Sequence, residues 1–584
     1  MSATPVEEIS NAYHADTKEE RMNAAQVIVN SLEKHGIEYV FGVPGGAIES
    51  LNTALYKSSI RVIVAKHEQG AAFMADGYAR VSGNISVCCS TAGPGATNMI
   101  TSLASSNGDS IPVIALTGQV STSLFGKGAI QEFSIQSFGI VSMFRQITKY
   151  SDIIINEKKA GEMISKARRV ALTGRKGPVH LNLPADIMKR DVGGETDDRC
   201  SITQVMGFDR EAVRETVQRL LDAKRPVIVA GWGTVLSRAD EELLELAELL
   251  DIPVATSPKA KGILSESHPL SLGVLGFAGS PVSREYIIKR DVDVMLAVGT
   301  SFNEFVTSGW EKRLRPMKSL IQIDIDSNEI GKNYYVDVGV GGDAKTVLRE
   351  IIYELRRQIN SGRNARSGGR DEVRSIRENF TVKTKKMNGM PYKPQRLIMD
   401  LADSLPEDTI YFVDNGNSMA WAIHHFLITR PYSFYVGLGF ASMGFATAAS
   451  IGAKLAAGNR PVVALVGDGA FLMNGMEVAT AVNYKIPVIW VVMNNSMLGM
   501  VYHGRKLASI PEGIVSGFQQ VDFVKLAEGL GARGIRITKP GEINRELIDE
   551  IIATGVPTVL DVIIDPEDVP PIHSRIASLE KLYT

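Results

Sequence analysis

From Val462 to Asn495 the chain reads VVALVGDGAFLMNGMEVATAVNYKIPVIWVVMNN. The runs Val462 to Val466 and Val488 to Met493 are apolar at every position, so each reads as a strand buried on both faces. A helix-length segment joins them, and such a crossover is right-handed and leaves its two strands parallel. This commits the region to a layered α/β sheet in which both strand ends lie on one edge. Each run then stops on oxygen-bearing residues, Gly467-Asp468-Gly469 and Asn494-Asn495. Turn chemistry accounts for such residues. A cation site at the carboxyl edge, where open α/β sheets bind ligands, accounts for them equally.

The same alternation runs through the chain and predicts an α/β protein of doubly wound parallel sheets. A length of 584 residues exceeds one core and suggests about three to four domains. Three blocks are expected: residues 21–195, 205–357 and 391–565, the middle one Rossmann-like. An extended or disordered start (1–20), a Gly/Ser/Arg-rich linker (358–390) and a tail (566–584) complete the division. A net charge of −2 gives no electrostatic footprint for nucleic acid or an anionic membrane. Cys88, Cys89 and Cys200 form no CxxC pair, the start lacks signal-peptide character, and no run is long enough to span a bilayer, so a cytoplasmic enzyme is expected.

Asp468 and Asn495 stand 27 residues apart at neighbouring strand ends. One carboxylate and one amide oxygen suit Mg²⁺, which completes an octahedron with phosphate oxygens and water. Gly467 and Gly469 let backbone amides approach a diphosphate without a Cβ clash. In KHEQGAAFMADGYAR, Glu68 opens a Gly/Ala-rich helix, where the macrodipole alone explains a carboxylate. Gly93-Pro94-Gly95 is by itself a tight turn, and SMGF (Ser442 to Phe445) is by itself core.

GDGAFLMN…MNN resembles the diphosphate-binding motif of thiamine-diphosphate-dependent enzymes, and the likeness covers roughly residues 21 to 570. It implies three domains, pyrimidine-binding, central and diphosphate-binding, and a metal site of Asp468, Asn495 and the Met497 carbonyl. Gly416, Asn417 and Ser418 in DNGNSMAW match the other diphosphate loop; Gly467, Gly469 and Ala470 belong to the first. Gly93, Pro94 and Gly95 would line the pyrimidine pocket, and Met443 would prop the cofactor in its bent form. Glu68 matches the glutamate that favours the imino tautomer of the aminopyrimidine. In the family it serves cofactor held by a neighbouring chain, which implies a homodimer or homotetramer.

The nearest branch is acetohydroxyacid (acetolactate) synthase, catalytic subunit, through FGVPGGAI, STSLFGKGAIQE, HPLSLGVLGFAG, IDIDSNEIGKN and NNSMLGMV. This implies a carboligase that decarboxylates pyruvate or a similar 2-oxoacid and passes the two-carbon unit to a second carbonyl acceptor. Gln131 matches a glutamine near the reacting centre that donates to a developing alkoxide; loop capping is its other reading. The acceptor half departs from the branch. Gly504 stands for a tryptophan, Thr300 for an arginine, Ala185 for a lysine and Ile130 for a phenylalanine. Losing the arginine fork removes bidentate carboxylate recognition. Arg505 and Lys506 are expected on an exposed turn. A 2-oxoacid decarboxylase, an acetyl-transferring relative or a noncatalytic family member remain as alternatives, and a regulatory subunit stays open. The first lacks its histidine pair in the loop GKGAIQEFSIQS, since His424-His425 falls in the third block. In the family the central domain holds FAD, ADP or nothing. Ser237-Arg238-Ala239 favours FAD, Trp232 would crowd its pyrophosphate, and Asp324 and Asp326 are either ribose ligands or turn residues.

Overall fold

Strand Val488–Asn494 is buried at all seven positions, and Ser86–Ser90, Pro226–Ala230 and Val294–Val298 at all five. Val, Ile and Leu on both faces require helices on both sides, and that requirement organises the chain. The structure is a computed structural model and describes residues 22–134, 139–193, 207–363, 367–380, 389–510 and 516–572. It contains three six-stranded sheets.

The first sheet runs Arg61–Val64, Tyr39–Val43, Ser86–Ser90, Val113–Gln119, Val179–Pro184, Tyr150–Ile153. The third runs Phe434–Val436, Ile410–Val413, Val462–Gly467, Val488–Asn494, Thr558–Ile563, Arg533–Ile537, the same order by position. The middle sheet runs Val338–Gly341, Ser319–Asp324, Val294–Val298, Pro226–Ala230, Val254–Thr256, Ser271–Val274. Its chain order is that of a dinucleotide-binding sheet. Neighbouring strands are parallel throughout; Leu465 pairs with Val491 and Gly467 with Met493. This register brings the two oxygen-bearing ends side by side.

The stretch 358–390, expected as linker, carries the helix Gly369–Asn379. Val373 and Ile376, one turn apart, seat it on Val227, Tyr286 and Met295 of the middle block. The Arg377 guanidinium donates to the carbonyls of Glu266, His268 and Ser271. The expected N-terminal stretch 1–20 and most of the tail lie outside the described residues. Among the described residues no helix is long and apolar enough to cross a membrane.

Helix Glu68–Ser82 of the first block crosses helix Phe445–Ala456 of the third at backbone contact. A Cβ added at Gly77 would fall 1.9 Å from the Ala449 oxygen, and one at Gly452 would fall 1.8 Å from the Met74 oxygen. Neither backbone can withdraw without separating the helices. Gly452→Val is therefore expected to destabilise the protein by at least about 2 kcal/mol, read as a lowered thermal midpoint. An unchanged midpoint would show that the crossing can open without loss.

All three blocks also meet at Asp109, which is fully buried. Its carboxylate takes Arg80 at 2.8 Å, Lys259 at 2.9 Å and the Gly439 amide at 2.8 Å, while its carbonyl accepts from Trp232 Nε1 at 2.7 Å. A buried carboxylate is tolerable only with such full pairing.

Candidate active site

A cavity opens at the carboxyl edge of the third sheet, where the register places Asp468 and Asn495 together. Its lining includes Asn415 to Ser418, Met443, Gly467 to Ala470, Asn495 and Met497 to Val501. The Asp468 carboxylate accepts the amides of Gly469 at 2.7 Å, Asn495 at 3.0 Å and Ser496 at 2.6 Å. It thus ties the turn after one strand to the turn after the next. Burial pushes its carboxyl up to about 6.

Asp414, at the end of strand Ile410–Val413, is a second fastener. It is fully buried and accepts from the amides of Asn415 at 2.9 Å, Gly444 at 2.9 Å and Ala446 at 2.8 Å. Asn415 Nδ2 adds a bond to the Ser442 carbonyl at 2.8 Å. Together they fix the DNGN loop against the turn that carries Met443. Sequence reasoning assigned Asp414 no role, although its place at the head of DNGN was the available signal.

Burial pushes the Asp414 carboxyl up to about 7. A folded-state value above the roughly 3.9 of an exposed aspartate makes its contribution to stability complete at low pH and lost as pH rises through about 7. The stability of the wild type relative to Asp414→Asn, which cannot ionise, should therefore decline between about pH 4 and pH 7 and level off above. Paired melting curves check this, and a pH-independent difference contradicts it.

The cavity suits an anion held through a cation. Among the described residues its lining contains Asp468, Asp565 and Asp568 but neither lysine nor arginine, and Lys393 pairs with the last two from outside it. A diphosphate would meet net negative charge unless a cation bridged it. Added Cβ atoms at Gly416 and Gly467 would meet nothing within 4 Å, so open space lies over both backbones. Asn415 Oδ1 and Asn417 Oδ1 are buried without a hydrogen-bond partner. Asp468, Asn495 and Met497 all line this cavity, and their carboxylate, amide and backbone oxygens are donors of the kind Mg²⁺ takes. Among the described residues no cluster of three or more His, Cys, Asp or Glu offers a softer metal site.

Glu68 and Gln131 do not line this cavity. They sit on the first block with Gly93 to Gly95. Glu68 is buried at the first turn of its helix and accepts from Asn98 Nδ2 at 2.9 Å. A Cβ at Gly95 would come within 3.2 Å of Glu68 Oε1. Gly93, at φ +63°, opens the turn that starts a helix at Pro94, and the bare face of Gly93 receives Gln131. Gln131 is exposed at φ +63°, on a loop held by Glu132, which accepts from the Gly126 and Gly128 amides and from Ser134 Oγ. Ile130 beside it is 90% exposed. One chain therefore presents two separate constellations.

One expectation here needs correction. Arg505 and Lys506 lie in the helix Gly499–Leu507, and Lys506 pairs with Glu567 at 2.8 Å. Apolar contacts of Met500 and Leu507 make that segment a helix against the core. Thr300 is 4% exposed and packs at Gly231, so it presents no open polar surface. Trp232, expected to crowd a pyrophosphate, lines the central cavity, its indole anchored to the Asp109 carbonyl and packed edge-on to Tyr435.

A second cavity, about 710 Å³, lies between the first and middle blocks and is lined by Arg175, Lys176, Trp232, Arg238, Lys259, Asp324 and Asp343, among others. Asp324 faces it, with burial raising its carboxyl to about 6. Asp326 instead accepts from the Asn328 amide and belongs to the turn. His424 and His425 end the helix Asn417–His425, with His424 against the Ala278 carbonyl.

With this geometry in view, comparison with known proteins places the chain. Residues 22–138 match the N-terminal TPP binding domain of thiamine pyrophosphate enzymes, 213–351 the central domain and 414–562 the C-terminal TPP binding domain. The chain belongs to the thiamine pyrophosphate enzymes. Within them it is acetolactate-synthase-like. It is 38% identical to a probable acetolactate synthase large subunit of Methanocaldococcus jannaschii, over 94% of this chain and 93% of the relative. It is 34% identical to an acetolactate synthase large subunit of Corynebacterium glutamicum, over 93% and 87%. The acetolactate synthase isozyme 2 large subunit of Escherichia coli is 32% identical, over 96% and 100%.

Proposed function

We propose that this chain decarboxylates pyruvate or a similar 2-oxoacid and transfers the two-carbon unit to a second carbonyl acceptor, using thiamine diphosphate and Mg²⁺. The observation that carries the reading is the Asp468–Asn495–Met497 cavity, an all-oxygen set beneath open glycine backbones with no basic side chain. Thiamine diphosphate, when bound, supplies the acidic carbon and the electron sink for decarboxylation. The protein's part is to bind, orient and move protons. Asp468, Asn495 and the Met497 carbonyl would hold the metal; Gly416, Asn417, Ser418, Gly467, Gly469 and Ala470 would cradle the diphosphate; Met443, on the same cavity wall, would support the cofactor's rings. Glu68 and Gln131, with Gly93, Pro94 and Gly95, act on the cofactor of a second copy. Support for this sharing is the absence of Glu68 and Gln131 from their own chain's cavity and the exposure of the large apolar side chains Ile130, beside Gln131, and Leu472, Met473 and Met476, shortly after Asp468. A homodimer or homotetramer follows.

The acceptor is the second point. Thr300 is buried and uncharged, and Gly504 carries no side chain, so neither can clamp an acceptor carboxylate. An aldehyde or another neutral carbonyl is therefore a live second reading beside a 2-oxoacid. Mass spectrometry of products from pyruvate alone, then with aldehydes or oxoacids, separates the two. The central cavity has the size and mixed charge of a nucleotide site, and FAD or ADP is its proposed occupant. Released nucleotide identified after denaturing the purified protein tests this; an empty supernatant and no binding of either would overturn it. Large-subunit relatives make a regulatory partner part of the proposal, checked by co-purification.

A further inference from the structure

A buried carboxylate outside the proposed chemistry stands behind Glu68. Glu477 belongs to the third block, nine residues after Asp468, and is 1% exposed. Its carboxylate accepts the His67 amide at 2.9 Å, the Lys66 amide at 3.1 Å and Thr480 Oγ1 at 2.7 Å. Close by, the Val64 amide donates to Tyr484 Oη at 2.9 Å. These are the last N–H groups before Glu68. Val64 is on the edge strand Arg61–Val64, Ala65 takes the last ladder acceptor, the Gly42 carbonyl, and Lys66 and His67 lie beyond it. Gly70, one turn into the helix, passes directly over the same carboxylate: a Cβ there would lie 2.2 Å from Glu477 Oε1. The segment that delivers Glu68 is thus fastened from beneath by the third block of its own chain.

The geometry points to Glu477 as a positioning residue for Glu68, one that ties the diphosphate-binding run of one chain to the glutamate that chain offers its neighbour. Asp468 and Glu477 stand on one continuous helical run, Asp468–Asn474 followed by Gly475–Glu477. Glu68, in turn, is held on its far side by Asn98. With both sides fixed, the carboxyl has one place to stand, and a shift of the 64–67 backbone moves it directly. An error of about 1 Å in such placement costs up to about 100-fold in rate. A hydrophobic residue at 477 would leave the Lys66 and His67 amides buried without acceptors.

This inference rests on Glu68 acting in the reaction, and the test separates the two. Glu477→Gln keeps the shape but puts an amide N–H pair where Oε2 accepts from the Lys66 amide and Thr480 Oγ1, leaving one oxygen for the Lys66 and His67 amides. In the full-length protein with thiamine diphosphate and Mg²⁺, it should lower kcat roughly 10- to 100-fold, with cofactor affinity and KM within about threefold. Amides of residues 64–67 should exchange with deuterium faster in this variant than in wild type, with or without cofactor. Gly70→Ala perturbs the same contact from the opposite side without removing the carboxylate, and should give the same kcat loss and faster exchange. It also covers the case in which Glu477→Gln does not fold. Normal kcat and unchanged exchange in a folded variant, with Glu68→Gln inactive, would overturn the role of Glu477 alone. Full activity in Glu68→Gln would remove the reading beneath it.

Discussion

Glu68→Gln is expected to bind thiamine diphosphate and Mg²⁺ normally and to lose roughly 100- to 10,000-fold in turnover. The substitution keeps the side-chain length and the hydrogen-bonding partner Asn98, which stands 2.9 Å from Oε2. It removes the one property a proton-transfer role needs, a carboxyl that can exchange its proton. The diphosphate and metal would be held by Asp468, Asn495 and the glycine turns rather than by Glu68, so cofactor affinity has little reason to fall. Calorimetry with the cofactor and steady-state assay with pyruvate separate binding from turnover. Activity within a few fold of wild type would remove Glu68 from the chemistry.

Asp468→Ala should have the complementary effect, abolishing Mg²⁺-dependent binding of the cofactor, by at least about 100-fold in affinity. Two losses combine. The proposed metal would lose the carboxylate of its donor set, and the Gly469, Asn495 and Ser496 amides lose the acceptor that joins the two strand-end turns. Among the described residues the cavity lining has no basic side chain to bind the diphosphate in the metal's place. The two variants together also test where the site lies. When Glu68→Gln and Asp468→Ala chains are unfolded and refolded as a mixture, mixed dimers contain one site with both wild-type groups. Random pairing restores about one quarter of wild-type activity. A site complete within one chain restores none.

Much of this architecture was readable because burial on both faces forces unbroken apolar runs. Val488–Asn494 is such a run, and the crossover rule then puts Asp468 and Asn495 on one edge. Their 27-residue spacing is a local property of the chain, so sequence carries it well. What stayed hidden depends on partners distant in sequence. Asp414 reads as an ordinary strand-end aspartate until the Gly444 and Ala446 amides fold onto it, and Glu477 as a solvent-facing helix residue until Lys66 and His67 arrive. The helix Gly369–Asn379 was masked by flanking Gly, Ser and Arg and by having only Val373 and Ile376 as apolar anchors. The anchoring of Trp232 was hidden because its acceptor, the Asp109 carbonyl, lies 123 residues away. In each case a polar group's partner, rather than its own type, decides what it does.

The most direct test is to give the purified protein pyruvate with thiamine diphosphate and Mg²⁺ and to follow CO₂ and products by mass spectrometry. The account predicts cofactor- and metal-dependent CO₂ release and a product in which the two-carbon unit is joined to a second carbonyl compound. Pyruvate left untouched by a protein that demonstrably binds the cofactor would contradict it.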